Sequence, residues 1–180
     1  FHDYRGYAGR IAGGGFKPGD DIVVLPSGFE SKIKSIDSFD GSISEAFAPM
    51  SVSITLEDDI DISRGDMIAR PHNQPQNVQE IEVMLCWFDN AKLNPSGKFL
   101  LKHTSNDVRA VVKDIRYKLD INTLHRNEED LEVNMNDIAR VRLRLAKPVL
   151  VDTYSKNRIT GSIILIDEGS NNAVAAGMIV

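Results

Sequence analysis

One cysteine, Cys86, stands among 180 residues, so no intrachain disulfide can form, in keeping with a reducing, cytosolic setting. No apolar run approaches the roughly 18 residues that a membrane-spanning helix needs, and nothing at the start resembles a signal peptide. The chain is therefore expected to be soluble. It also lacks an initial Met, and its start at Phe1 reads as an excised part of a longer protein. A basic excess is missing too. The net charge is −5, and residues 1–77 hold 7 Lys+Arg against 12 Asp+Glu while residues 78–180 hold 14 against 14. Phosphate neutralisation supplies most non-specific nucleic-acid affinity, so a nucleic-acid partner is not expected of either part.

Chemistry-bearing patterns are scarce as well. No GxxxxGK[ST] occurs, and Gly13-Gly14-Gly15 cannot replace that phosphate-cradling loop because no helix N-terminus follows it. His2, His72, His103 and His125 are scattered without metal-ligand spacing. No Ser/His/Asp set or paired carboxylates can be argued from spacing. The expectation is no catalytic, cofactor-binding or metal-binding residue in this chain.

What the chain does contain is strand and turn. The stretch RGYAGRIAGGGFKPGDDIVVL, residues 5–25, reads as strand, tight corner, turn, strand. Pro18 presets φ for a turn whose next position, Gly19, supplies a positive φ. Residues 3–12 and 21–26 are expected strands, and Pro26-Ser27-Gly28 closes a hairpin into Phe29–Ile36, followed by an Asp40-Gly41 turn. After a loop at Glu45–Pro49, Met50, Val52, Ile54 and Leu56 alternate with Ser51, Ser53 and Thr55, the period of a half-buried strand. A turn at Ile62–Asp66 leads to strand Met67–Ala69. Strands this closely spaced, without helical period, predict a closed barrel. The segment PHNQPQN, residues 71–77, is stiff and polar, so a first domain over 1–71, a linker at 72–77 and a second domain over 78–180 are expected.

The second domain opens with Ile81, Val83, Leu85 and Trp87 on one strand face. Asn94-Pro95-Ser96-Gly97 turns into strand 98–103. In strand 108–121, Val111, Ile115, Leu119 and Ile121 share a face with Arg109, Lys113 and Tyr117. The polar segment Asn122–Asn136 reads as a loop, either irregular throughout or with one helical turn. Strand 138–146 sets Arg140, Arg142 and Arg144 against Val141, Leu143 and Leu145, and strands 158–167 and 173–180 close the chain around Gly169-Ser170-Asn171-Asn172.

Several motifs have a bland reading and a sharper one. Glu57, Asp58, Asp59 and Asp61 invite a metal, but the Gly and distal Glu of a calcium loop are missing, which favours a solvated acidic loop or a patch facing a basic partner. Arg64-Gly65-Asp66 spells an integrin-recognition tripeptide and is better read as a turn with Gly65 at positive φ and Asp66 capping the backbone. Cys86, inside Met84–Phe88, is expected as a core thiol. The arginine ladder Arg140, Arg142 and Arg144, with Arg109, Arg116 and Lys118 possible neighbours, is either a solvated outer face or a docking stripe for an acidic protein surface or RNA phosphates.

The spacing Gly9-Arg10-Ile11, Gly14, Lys17, Gly19-Asp20 and a β-branched strand resembles the second domain of translational GTPases such as elongation factor Tu. The longer phrases DYRGYAGRIAGGGFKPGDDIVVLPSG, Ile33–Ile36, Phe39-Asp40-Gly41, Ala46–Pro49, LEDDIDISRGDM and AVAAGMI are more narrowly similar to the large, GTP-regulated subunit of bacterial sulfate adenylyltransferase. The resemblance covers nearly the whole chain. It implies an all-β fold of two tandem antiparallel barrels like the second and third domains of elongation factor Tu, with Gly14, Gly19, Asp20 and Gly65 at structural turns. It also implies a parent complex that makes adenosine 5′-phosphosulfate and pyrophosphate from ATP and sulfate. GTP and Mg2+ would bind an upstream GTPase domain of the same chain, and ATP would bind the small catalytic subunit, the implied partner. Some relatives carry a fused adenylylsulfate kinase downstream. The barrels would then be a non-catalytic lever and docking surface, with Arg140, Arg142 and Arg144 as candidate docking residues. The rival reading is a translation-factor module that binds aminoacyl-tRNA, against which the acidic first barrel argues. A third is an interaction module with no GTPase attached.

Overall fold

A computed structural model describes residues 4–180; Phe1, His2 and Asp3, where the first strand was expected to begin, lie outside the described residues. Among the described residues no helix forms, and the strands fall into two compact units, Phe1–Pro75 and Gln76–Val180.

The first unit contains β1 (Tyr7–Arg10), β2 (Gly15–Phe16), β3 (Asp21–Leu25), β4 (Phe29–Ser38), β5 (Gly41–Ile43), β6 (Ala46–Phe47), β7 (Ser51–Leu56) and β8 (Met67–Ala69). Its main antiparallel sheet runs β1-β7-β4-β3-β8, with β5 on β4, and β2 pairs with β6. Alternation along β7 buries Val52, Ile54 and Leu56 and leaves Ser51 exposed, because successive side chains of a strand point to opposite faces. In β4 a register shift between Ile33 and Ser35 lets Ile33 and Ile36, three apart, both enter the core. The Glu45–Pro49 segment corrects an expectation: it is not all loop. Ala46 is fully buried and pairs with Phe16. A two-residue strand falls below any periodic signal.

The second unit contains β9 (Gln76–Trp87), β10 (Lys98–His103), β11 (Asn106–Leu119), β12 (Arg126–Asn127), β13 (Ile138–Val151), β14 (Ser162–Asp167) and β15 (Ala173–Ile179). Antiparallel pairing follows β10-β14-β15-β9-β13-β11, and β11 pairs back onto β10. That closes a six-stranded barrel whose ring has no unpaired edge. Leu85, Leu101, Leu143, Leu145 and Leu165 are completely buried inside it, and Trp87 meets Phe99 edge-on with ring centroids 5.8 Å apart, a favoured aromatic geometry.

Two details depart from expectation. Gln76 and Asn77, placed in a linker on composition, already belong to β9 and pair with Val151 and Leu150. The reason is that β13 runs on past Lys147 and Pro148, through a register shift, and offers them a partner strand. In β11 the core-facing residues are Val108, Ala110 and Val112 at first and then Ile115, while Tyr117 is covered on the outer face, opposite Arg140 with its hydroxyl against the Met84 sulfur. Two irregularities, between Val112 and Asp114 and between Ile115 and Tyr117, switch the face.

Candidate functional site

The turns of the first unit are built by short polar side chains. The Asp20 N–H donates to the Lys17 carbonyl at 3.1 Å, the Asp20 carboxylate accepts from the Lys17 N–H at 2.9 Å, and Gly19 between them has φ +90°, a region that favours glycine. Gly14 has φ +63°. Arg70, which no sequence signal singled out, pins this corner: its guanidinium donates to the Asp20 carboxylate at 2.7 Å and to the Gly15 carbonyl at 2.9 Å, and it lies over the Phe16 ring. At the second turn the Ser63 N–H donates to the Asp66 carboxylate at 2.8 Å and the Asp66 N–H to the Ser63 carbonyl at 3.0 Å, with Gly65 at φ +103°. The tripeptide Arg64-Gly65-Asp66 is thus part of a self-capped turn.

The acidic run after β7 is occupied by protein partners. Arg5 pairs with both Asp59 and Asp61, and Asp58 accepts from the Ser31 hydroxyl at 2.8 Å. These carboxylates hold the β7–β8 connection to the start of the chain and to β4. His72 and His125 are exposed, whereas His103 is buried with Nε2 2.7 Å from the Thr160 carbonyl. Burial pushes its pKa down, with the hydrogen bond to the Thr160 carbonyl and then the nearby Asp152 opposing less strongly.

Cys86 is exposed, which overturns its expected place in the core. It lies on the outer face of β9, in register with Ile138 and Ala176, and the buried face there belongs to Leu85 and Trp87. The hydrophobic run Met84–Phe88 is apolar on both faces, so periodicity alone could not say which side turns inward.

The arginine ladder lies on the outer face of β13 and is interlaced with carboxylates. Register sets Arg142 opposite Glu82 and Arg144 opposite Glu80 on β9, with Asp114 of β11 on the other side of Arg142. Arg140 donates twice to Glu82, at 2.9 and 2.6 Å, and Arg142 once at 3.3 Å. Arg116 lies 3.6 Å from Glu82 and 3.1 Å from Asp114, and Lys113 holds Glu80 at 2.9 Å. Glu82 therefore bonds the two arginines with its two oxygens, raising the Arg140 pKa, while Lys113 holds that of Glu80 down. Of the neighbours suggested by sequence, Arg116 joins the network and two do not. Arg109 sits opposite Leu100 of β10 and is taken by Glu168 at 2.7 Å. Lys118 is mostly covered and clamps the following loop, at 2.9 Å from Asp130 and 3.0 Å from Asp137.

Chemically this face can bind rather than react, since each of its charged groups sits beside an opposite charge on an outer barrel surface. Its strongest features are the half-buried Arg–carboxylate lattice and the apolar strip around Cys86 that adjoins it.

Comparison with known proteins adds the lineage. A model of the family described as GTP-eEF1A C-terminal domain-like matches residues 80–180. The bifunctional enzyme CysN/CysC of Mycobacterium tuberculosis is 50% identical over 99% of this chain, and the chain spans 29% of that protein. Sulfate adenylyltransferase subunit 1 of Bacteroides thetaiotaomicron is 41% identical over 99% of the chain, which spans 38% of it. Among solved structures, Sup35 complexed with GDP matches 98% of the chain and 45% of its own with a TM-score of 0.84 at 18% identity. The elongation factor SelB of Methanococcus maripaludis in its apo form matches 96% of the chain and 41% of its own at 0.73 and 23%. At those identities the structures establish the fold alone, an all-β arrangement of translation-factor type.

Proposed function

The chain belongs to the GTP-eEF1A C-terminal domain-like family, and from that premise we propose that it is the barrel region of the large, GTP-regulated subunit of sulfate adenylyltransferase. The observation that carries the reading is 41–50% identity across 99% of the chain to proteins named sulfate adenylyltransferase subunit 1 or bifunctional enzyme CysN/CysC. The chain spans only about a third of those relatives, so the activity belongs to the whole assembly. In it, ATP and sulfate become adenosine 5′-phosphosulfate and pyrophosphate at the small catalytic subunit. GTP and Mg2+ sit in a GTPase domain preceding these barrels, in the reducing cytoplasm.

The barrels' part is docking and relay. A relay of this kind needs two global states that GTP and GDP favour differently, and a closed barrel cross-tied by Arg–carboxylate pairs moves as a rigid body between them. Within that reading, Arg140, Arg142 and Arg144 belong to the docking face, with Arg140 and Arg142 ordering Glu82 and Arg144 presenting positive charge. The alternative of an aminoacyl-tRNA-binding module gains nothing from the Sup35 and SelB likenesses, which speak to fold only.

A chimera tests the assignment. Residues 4–180 replace the corresponding stretch of the Mycobacterium tuberculosis CysN/CysC protein, and adenylylsulfate formation is measured with its small subunit, with and without GTP. GTP-stimulated synthesis is expected to survive. A folded chimera that hydrolyses GTP but no longer stimulates synthesis, together with tight, salt-sensitive binding of the chain to charged tRNA, would contradict it.

A further inference from the structure

The outer face of the second barrel changes character along its strands. One cross-strand row runs Ile164 of β14, Ala176 of β15, Cys86 of β9 and Ile138 of β13, each in register with the next. The adjacent row holds Met178 and Met84, again paired, and then Arg140. Beyond it lies Glu82, whose carbonyl accepts from the Val180 N–H, with Arg142 and Asp114 alongside. Ile164 is 41% and Met178 43% exposed, and Cys86 and Ala176 are exposed as well. Four neighbouring strands span about 14 Å at about 4.8 Å per strand. An apolar surface of that breadth, rimmed on one side by charge, is the anatomy of an interface core and its border. The two methionines give it adaptable packing.

The rim states the sign of what it meets. Lys113, Arg116, Arg140, Arg142 and Arg144 face three carboxylates, Glu80, Glu82 and Asp114. Five positive charges less three negative leave a balance of +2. A complementary surface is apolar at its centre with a carboxylate border on the side of the arginines. Resting on the functional reading above, we infer that this strip on β14, β15, β9 and β13 is the seat of the small catalytic subunit. The apolar row supplies contact area, and Arg144 with the Arg140–Glu82–Arg142 lattice orients the partner. A docking role thus moves from the arginines alone to the apolar row beside them.

Cys86 is the chain's only cysteine and lies in the middle of the row, so its thiol reports occupancy. The chain is treated with a maleimide alone and with saturating small catalytic subunit, and its modification is followed by mass. Alkylation is expected to slow at least about tenfold in the complex, and Ile164→Glu and Met178→Glu are each expected to weaken association by at least about tenfold. Lys98→Glu, on β10 outside the strip, leaves association unchanged. Both variants point outward, and an unaltered near-ultraviolet signal from the buried Trp87 certifies the fold. If the subunit binds but Cys86 reacts at its free rate, this inference falls and the functional reading stands. If the subunit does not bind at all, both fall. Protection that grows with the concentration of the chain alone assigns the strip to a second copy. Protection in the full-length large subunit without its partner assigns it to another part of the same protein. Either result overturns the inference.

Discussion

His103 concentrates the energetics of one end of the second barrel in a single ring. A carbonyl can only accept, so Nε2 carries the proton that reaches Thr160, and Nδ1 is left buried with no hydrogen-bond partner among the described residues. A second proton would have to settle on that nitrogen, away from water, which is why burial lowers the pKa. The sign of the consequence follows by linkage. In the unfolded chain the imidazole titrates near about 6.5, above its folded value, so unfolded molecules bind the proton more readily and stability falls as pH drops below about 6.5. Urea midpoints read from Trp87 fluorescence at about pH 7.5 and about pH 5.5 are expected to show that loss, at no more than about 1.4 kcal/mol per pH unit. His103→Gln is expected to flatten it. An equal slope in the variant would place the titration elsewhere. Thr160 extends the same cluster, its hydroxyl donating to Asp152 at 2.8 Å.

Among the elements, β9 and β13 carry the most consequence, because their shared outer face holds both the charged lattice and the apolar row. Glu82 is 28% exposed and bonds Arg140 and Arg142 at once. Replacing it by Gln leaves two partly covered guanidinium groups without their acceptor charge, with an expected loss of about 1 kcal/mol, against near zero for Arg144→Ala. Denaturant midpoints of the two variants check the order, and equal effects would mean that Glu82 does no more than an exposed surface ion pair. These elements also mark where the sequence could be read and where it could not. Strict alternation made β7 and the inner face of β9 plain in advance, and the Asn94–Gly97 turn sits directly before β10. The faces of β11 were hidden because two irregularities change the period mid-strand. Cys86 was misplaced because an interface-like row makes an outer face as apolar as an inner one. Arg70 and Glu82 escaped notice because their importance lies in partners 50 and 58 residues away, a separation that no local pattern encodes.

For the molecule as a whole, the division of labour follows from closure and charge. Two compact units, one of them a hydrogen-bonded ring without edges, give rigid bodies suited to presenting surfaces, and the described residues bring no catalytic constellation together. The acidic first part and the charge-balanced second part lack the basic excess that phosphate neutralisation draws on, and the Arg-rimmed apolar strip is the surface proposed for protein docking. On the proposed function, these barrels hold the small catalytic subunit of sulfate adenylyltransferase. Calorimetric titration of the purified chain against that subunit from the same organism tests it most directly. A saturable complex is expected, with a dissociation constant of about 1 μM or tighter, near −8 kcal/mol, and a negative heat-capacity change from apolar burial. Absence of heat at about 100 μM of either protein, with both shown to be folded, would contradict it.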